Sequence, residues 1–258
     1  VSYLNTRPLV HGLEERPEVL VRFDVPSRCA DLLAGGLVDL GLIPVFEYAH
    51  HGGYAIVPGV SIASRGAVDS VALFTRRPMA EVRSVSLDAS SRTSANLVRL
   101  LCSRLYGIRP VFEEAAPDLG TMLTRSDAAL LIGDPALFTD PSEFGAEKID
   151  LGTAWRDLTG LPFVWAFWAG RPDAASPEVC RTLAEARDRG VEAIDEIAAI
   201  EGRSDPARTI RIARYLRESI AYDLRGPFIE GVSAFFAMLA EDRLIERAPG
   251  LAFYEARP

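Results

Sequence analysis

Lysine is almost missing from this chain: of 28 basic residues, Lys148 alone is a lysine. Schiff-base catalysis needs a desolvated lysine amine. Lys148 lies in the polar stretch Phe144-Gly145-Ala146-Glu147-Lys148, which reads as an exposed loop, so that chemistry is improbable here. Histidine is nearly as scarce. His11 reads as a polar position early in the first helix, and His50-His51 sit beside Gly52-Gly53 in what reads as a surface loop. An adjacent pair cannot point both rings at one strand face. A histidine general base is therefore poorly supplied. Cys29, Cys102 and Cys180 are odd in number and far apart, which is neither a disulfide framework nor a metal-ligand spacing. They read as core thiols in a reducing cytoplasm. No apolar run reaches the length of a membrane span, and Arg7 and His11 interrupt the start, so it does not read as a signal peptide. GxGxxG, Walker, HExxH and CxxC patterns are all lacking, so no nucleotide, metal or other cofactor is expected. A net charge of −8 argues against nucleic acid. It still permits a small anionic ligand in a locally positive cleft.

What remains is the composition of a soluble globular protein, 258 residues with 48% hydrophobic and 25% charged. That length holds one large domain or two lobes. Its first seventy residues alternate as α/β: a strand over 19–23, a helix capped by Ser27 and stopped by Gly35-Gly36, and a buried strand over 38–45 that ends in a loop. Strands at 55–60 and 70–75 follow. A second set has strands at 82–87, 111–114 and 128–132, with a helix from the Asp88–Ser94 turn to about Tyr106. The last strong strand runs from Phe163 to Trp168. Beyond Ser176-Pro177-Glu178, a helix start with cap, proline and acid in order, the chain reads as helical. Asp205-Pro206 starts another helix, carrying Ile212, Leu216 and Ile220.

Several segments can carry chemistry. The opening Ser2-Tyr3-Leu4-Asn5-Thr6-Arg7-Pro8-Leu9 is a short apolar run ending in three hydrogen-bonding side chains, with Pro8 breaking the strand. Asn5, Thr6 and Arg7 are thereby delivered to the mouth of a pocket. Between a strand and a helix, Ser90, Ser91, Thr93 and Ser94 surround Arg92. Free N–H groups at a helix start together with hydroxyls make a site for a carboxylate or phosphate, although a serine there can also simply cap its own helix. Ser64, Arg65 and Ser70 can face a cleft from a hairpin turning at Gly66; a solvated hairpin is the plainer reading. Asp134 follows a buried strand, where open α/β sheets place ligands, and its Asp-Pro pair also suits a helix cap. All three tryptophans fall within fourteen positions, 155 to 168. They could wall a pocket for a ring, with at least one belonging to the core.

Five segments in order resemble one family: 2–9, 39–45, Ser64-Arg65-Gly66, 90–94, and Ile132-Gly133-Asp134 with Trp155 and 159–168. Together they span residues 2 to 168 and are similar to the chorismate dehydratases of the futalosine route to menaquinone. The resemblance implies a two-lobed fold of the periplasmic-binding-protein type (type II), with a ligand cleft between α/β lobes and a helical C-terminal segment. The lobes would be 1–73 plus 169–258 and 74–168, with crossings near residues 74 and 165. It also implies dehydration of chorismate to 3-[(1-carboxyvinyl)oxy]benzoate without metal or organic cofactor. With a protein base poorly supplied, the substrate's own enolpyruvyl carboxylate is expected to take the C3 proton. Asn5 and Ser70 would be the catalytic contacts. Thr6, Arg7, Ser64, Ser90, Ser91, Thr93 and Asp134 would bind substrate. A solute-binding protein for a small carboxylate shares the lobes and the anion site, but works outside the cytoplasm. The related naphthoate synthases rely on a histidine in the second lobe, and no histidine follows His51. A transcription-factor effector domain is a distant third, with no DNA-binding segment.

Overall fold

The computed structural model describes residues 1–255. Its chain opens in a 3-10 helix, Leu4–Val10, and runs through α1 (Pro26–Ala34), β1 (Leu40–Pro44), α2 (Val45–His51) and β2 (Ala55–Ser64). It then leaves for β3 (Val71–Thr75), β4 (Ser84–Asp88), α3 (Arg92–Arg104), β5 (Val111–Ala115), α4 (Leu119–Arg125), β6 (Ala128–Ile132), α5 (Gly133–Phe138), β7 (Glu147–Asp150) and α6 (Leu151–Thr159). It returns in β8 (Phe163–Gly170) and ends in α7 (Pro177–Glu192), α8 (Ile194–Glu201), α9 (Pro206–Arg214), a π-turn over Tyr215–Ser219, and α10 (Pro227–Glu241).

Two sheets result, with strand orders β1-β8-β2 and β5-β4-β6-β3-β7. The first is antiparallel, pairing Ala55 with Gly170 at one end and Ser64 with Phe163 at the other. In the second, β4 runs parallel to β5 and β6, while β3 pairs antiparallel with β6 and β7. This is the α/β, two-lobed architecture the resemblance implied, helical segment included. The chain changes sheets within 65–70 and again at 160–162. The expected crossings near 74 and 165 fall inside β3 and β8, which begin directly after the turns that redirect the chain.

Other expectations are corrected. No strand forms over 19–23, where Leu20 is 97% exposed and no neighbour offers a ladder. Pro8 does not break a strand; it sits inside the opening 3-10 helix, where its fixed φ fits. That helix lies so close under α7 that a Cβ on Gly190 would meet the Pro8 carbonyl oxygen. α1 starts at Pro26 without a side-chain cap, so Ser27 is inside it. Residues 45–51 are helix rather than loop, and His50 and His51 form its last turn. The 61–70 segment is no hairpin, since β2 and β3 lie in different sheets and the turn between them links the lobes. Caps fall as read at Ser176 and Asp205, whose side chains accept from Val179 N and from Ala207 and Arg208 N.

Candidate active site

The site lies between the sheets, at the end of β2 and β8 where the chain crosses. Tyr3, Asn5, Ser91, Ser94, Gly133 and Trp165 are among its lining residues, and it encloses about 50 Å³. Pockets for small ligands run from roughly 300 Å³ upward. A ring-sized ligand needs more room than this cleft encloses. A larger depression of about 800 Å³, beside Tyr48, Tyr54 and Tyr254, opens at the far end of the first sheet. None of the residues singled out for chemistry lines it.

Asn5 reaches the cleft because the opening segment is clamped on both sides. Asp134 Oδ1 accepts the Leu4 N–H at 3.1 Å, and Tyr3 packs its ring over Gly133. Gly133 has φ +63°, and a Cβ there would stand 2.5 Å from the Tyr3 ring. Asp134 thus anchors the opening helix and is not among the residues that line the cleft. Burial pushes its pKa up, outweighing the Leu4 N–H bond and the nearby Arg208. The Tyr3 hydroxyl lies 3.4 Å from Ser90 Oγ, and burial raises its pKa too.

At the start of α3, Ser91 is the cap. Its Oγ accepts the Ser94 N–H at 3.2 Å and donates to Ser94 Oγ at 2.8 Å. Both hydroxyls line the cleft, next to the first-turn N–H groups of Arg92 and Thr93. Ser90 turns back instead: its N–H and hydroxyl both donate to Asp88 Oδ1, at 2.9 and 2.6 Å. Asp88, buried at the end of β4, has its pKa raised by desolvation against those bonds. The Thr93 hydroxyl accepts the Phe46 N–H at 3.0 Å, tying the start of α2 to the start of α3.

The crossing turn carries Ser70. Asp69 takes φ +60°, unusual without glycine, and its surroundings fix it there. Asp150 accepts the N–H groups of Val68 and Asp69, the latter at 2.7 Å. Ser219 Oγ donates to Asp69 Oδ2 at 2.5 Å. Lys148 Nζ donates to the carbonyls of Asp69 at 2.6 Å and Ala136 at 2.8 Å. The one lysine is therefore a half-buried brace on β7, not an exposed loop residue, and desolvation lowers its pKa. Ser70 itself is buried, between cleft-lining Val68 and Val71, and accepts the Tyr215 hydroxyl at 2.7 Å. Ser64, also buried, accepts the Trp165 Nε1–H at 3.2 Å and so sets that ring in the wall. Trp155 is core, its Nε1 donating to Pro162 O.

Arg7 does not reach the cleft. It lies 2.7 Å from Glu201 with its Nε–H misdirected, an ion pair rather than a hydrogen bond, and stacks over Phe23 on the outer side of the opening helix. Thr6 is buried, its hydroxyl without a partner among the described residues. Arg65 covers the Phe228 ring, and Arg92 pairs with Glu47 and Asp31. Among the described residues, no charged side chain and no histidine lines the cleft. Of the residues expected to act, Asn5 and Ser91 stand on its wall. Ser64, Ser70, Ser90, Thr93 and Asp134 stand behind it, holding the wall in place. Tyr3, Ser94 and Trp165 lay inside segments already singled out. Tyr215 gave no signal, since it sits among Ile212 and Leu216 and reads as core.

Two α/β lobes with a cleft between them define a class, the binding-protein-like folds. A crystal structure from Archaeoglobus fulgidus matches with TM-score 0.73 at 16% identity, covering 94% of this chain and 96% of that one. The alkanesulfonate-binding protein of Xanthomonas axonopodis pv. citri, bound to MOPS, matches at 0.69 and 15%, covering 96% and 92%. At such identities the likeness is one of fold alone. Within that class the chain belongs to the menaquinone biosynthesis family, whose model matches residues 1–241. The chorismate dehydratase of Thermus thermophilus is 33% identical over 251 residues, covering 90% of this chain and 91% of that protein.

Proposed function

We propose that this protein eliminates water from chorismate to give 3-[(1-carboxyvinyl)oxy]benzoate, the entry step of the futalosine route to menaquinone. Family membership and the Thermus relative support the substrate. The observation that carries the mechanism is the cleft wall, largely apolar with Asn5, Ser91 and Ser94 among its polar side chains, and with no ionised side chain or imidazole among its lining residues. The reaction needs a base and the wall lends none. The base is then the substrate's enolpyruvyl carboxylate, which takes the C3 proton. The C3–H electrons complete the aromatic ring as the C4–O bond breaks, and the C3 proton and C4 hydroxyl leave as one water.

Aromatisation supplies the driving force, so the protein's task is to orient a dianion and keep water out. Asn5, in the wall, hydrogen-bonds the enolpyruvyl carboxylate. The ring carboxylate lies at the start of α3, against the Ser91 and Ser94 hydroxyls and the first-turn N–H groups. Trp165 and Tyr3 flank the ring.

Incubation of the purified protein with chorismate, followed by liquid chromatography and mass spectrometry, tests this. An aromatic product lighter by one water is expected. Saturable binding without turnover would instead make it a solute-binding protein, and neither binding nor turnover would exclude chorismate as its ligand.

A further inference from the structure

Asp88 is a buried carboxylate whose partners among the described residues are N–H and O–H donors, none of them a cation. Taking a carboxylate out of water without a cation is costly, and its donors come from two stretches beside the cleft. Oδ1 receives the Ser90 N–H at 2.9 Å and the Ser90 hydroxyl at 2.6 Å, directly before cleft-lining Ser91. Oδ2 receives the N–H of Ile132 at 3.3 Å; Ile132 and the following Gly133 both line the cleft. Ladder pairing joins β4 to β6 at Val85 with Ala128 and Ser86 with Ala129. Nearer the cleft, the Asp88 side chain makes the join. Ser91 caps α3, so the helix has no need of the Ser90 side chain. Both Asp88 oxygens receive a backbone N–H, so the carboxylate accepts and the Ser90 hydroxyl donates. Ser90 Oγ then has only lone pairs left to offer, and the Tyr3 hydroxyl, 3.4 Å away, donates to it. Tyr3 is thus held at its hydroxyl by Ser90 and along its ring by Gly133.

We propose that Asp88 is a positioning residue for the reaction: through Ser90 and the end of β6 it sets the Tyr3 ring at the angle on which the ligand ring stacks. The proposal rests on the dehydratase reading above. Tyr3 flanks the ring before and during the reaction, so the relay acts on ground and transition state alike. Its loss weakens binding and leaves the chemical step almost untouched.

Ser90→Ala cuts the relay and leaves both backbone N–H groups on Asp88. With chorismate as substrate, its KM is expected to rise about fivefold, the effect of one lost hydrogen bond, with kcat close to wild type. Tyr3→Phe keeps the ring, removes the hydroxyl and is expected to match it. The double variant is expected to show a KM no higher than the larger single, because the two hydroxyls act through one bond. Asp88→Asn offers one oxygen where two N–H groups need two, and is expected to raise KM as well. Should Asp88→Asn fail to fold, Ser90→Ala and Tyr3→Phe carry the test. A merely structural role would lower the thermal midpoint and leave KM alone. Wild-type KM in the folded variants, a loss confined to kcat, or increases that multiply in the double variant would overturn the positioning role alone. A wild-type protein inert toward chorismate would overturn the dehydratase reading and this one with it.

Discussion

A single methyl group at Gly133 would meet the Tyr3 ring at 2.5 Å on a backbone already at φ +63°. Left-handed backbone costs an alanine about 1–2 kcal/mol, and overpacking adds about 1–3. Gly133→Ala is thus expected to lower unfolding stability by at least about 2 kcal/mol in urea titration, and to displace Tyr3 from the cleft. Asp134 beside it makes a pH prediction. Burial raises its folded pKa above the ordinary 3.8, so the folded protein holds that proton more tightly than the unfolded chain does. Its contribution to stability is complete below 3.8 and is lost as pH rises through the folded pKa. Asp134→Asn keeps an oxygen for the Leu4 N–H and cannot ionise. Its thermal midpoint is therefore expected to gain on wild type as pH rises through that window and then level off; a constant difference would contradict the assignment. The sequence made Asp134 legible as a residue of consequence through its place after a buried strand. It could not reveal that the carboxylate faces Leu4, a contact 130 positions away in the chain.

Between elements, side chains read as ligand contacts turn out to join one segment to the next. Thr93 links α2 to α3 through the Phe46 N–H. Thr93→Val leaves that buried N–H without an acceptor and is expected to cost about 1–3 kcal/mol, read by denaturant unfolding. Lys148 braces the strained Asp69 turn through two carbonyls. Lys148→Met keeps the chain length and loses the donors; faster amide hydrogen exchange across residues 65–70 is the expected result, and unchanged protection there would deny the brace. Local caps such as Ser91, Ser176 and Asp205 were readable because each acts within four residues of itself. β7 and α6 were not, since β7 is a short polar edge strand whose place is set by pairing with β3. The π-turn was hidden for a similar reason: its sequence YLRES continues the helical period of α9, and the widened turn comes with its contacts to Asp69 and Ser70.

Across the whole molecule, one cleft gathers residues from the first turn of the chain, from the start of α3, from the crossing turn and, through Tyr215, from the C-terminal helices. Alternating strands and helices suggested two lobes, and the ordered motifs indicated where their mouth would be. The helical tail carries Tyr215, whose hydroxyl donates to Ser70 behind the cleft. Neighbours in the opening octet also separate by function: Asn5 lines the cleft, whereas Arg7 pairs with Glu201 outside it. The most direct test of the account is the rate of chorismate dehydration by wild type, Asn5→Ala and Arg7→Met, each checked for its fold by circular dichroism. Asn5→Ala is expected to lose roughly 100-fold or more in kcat, as when a preorganised donor is removed, while Arg7→Met retains wild-type turnover. Wild-type turnover by Asn5→Ala, or an equal loss in Arg7→Met, would contradict the placement of the reaction in this cleft.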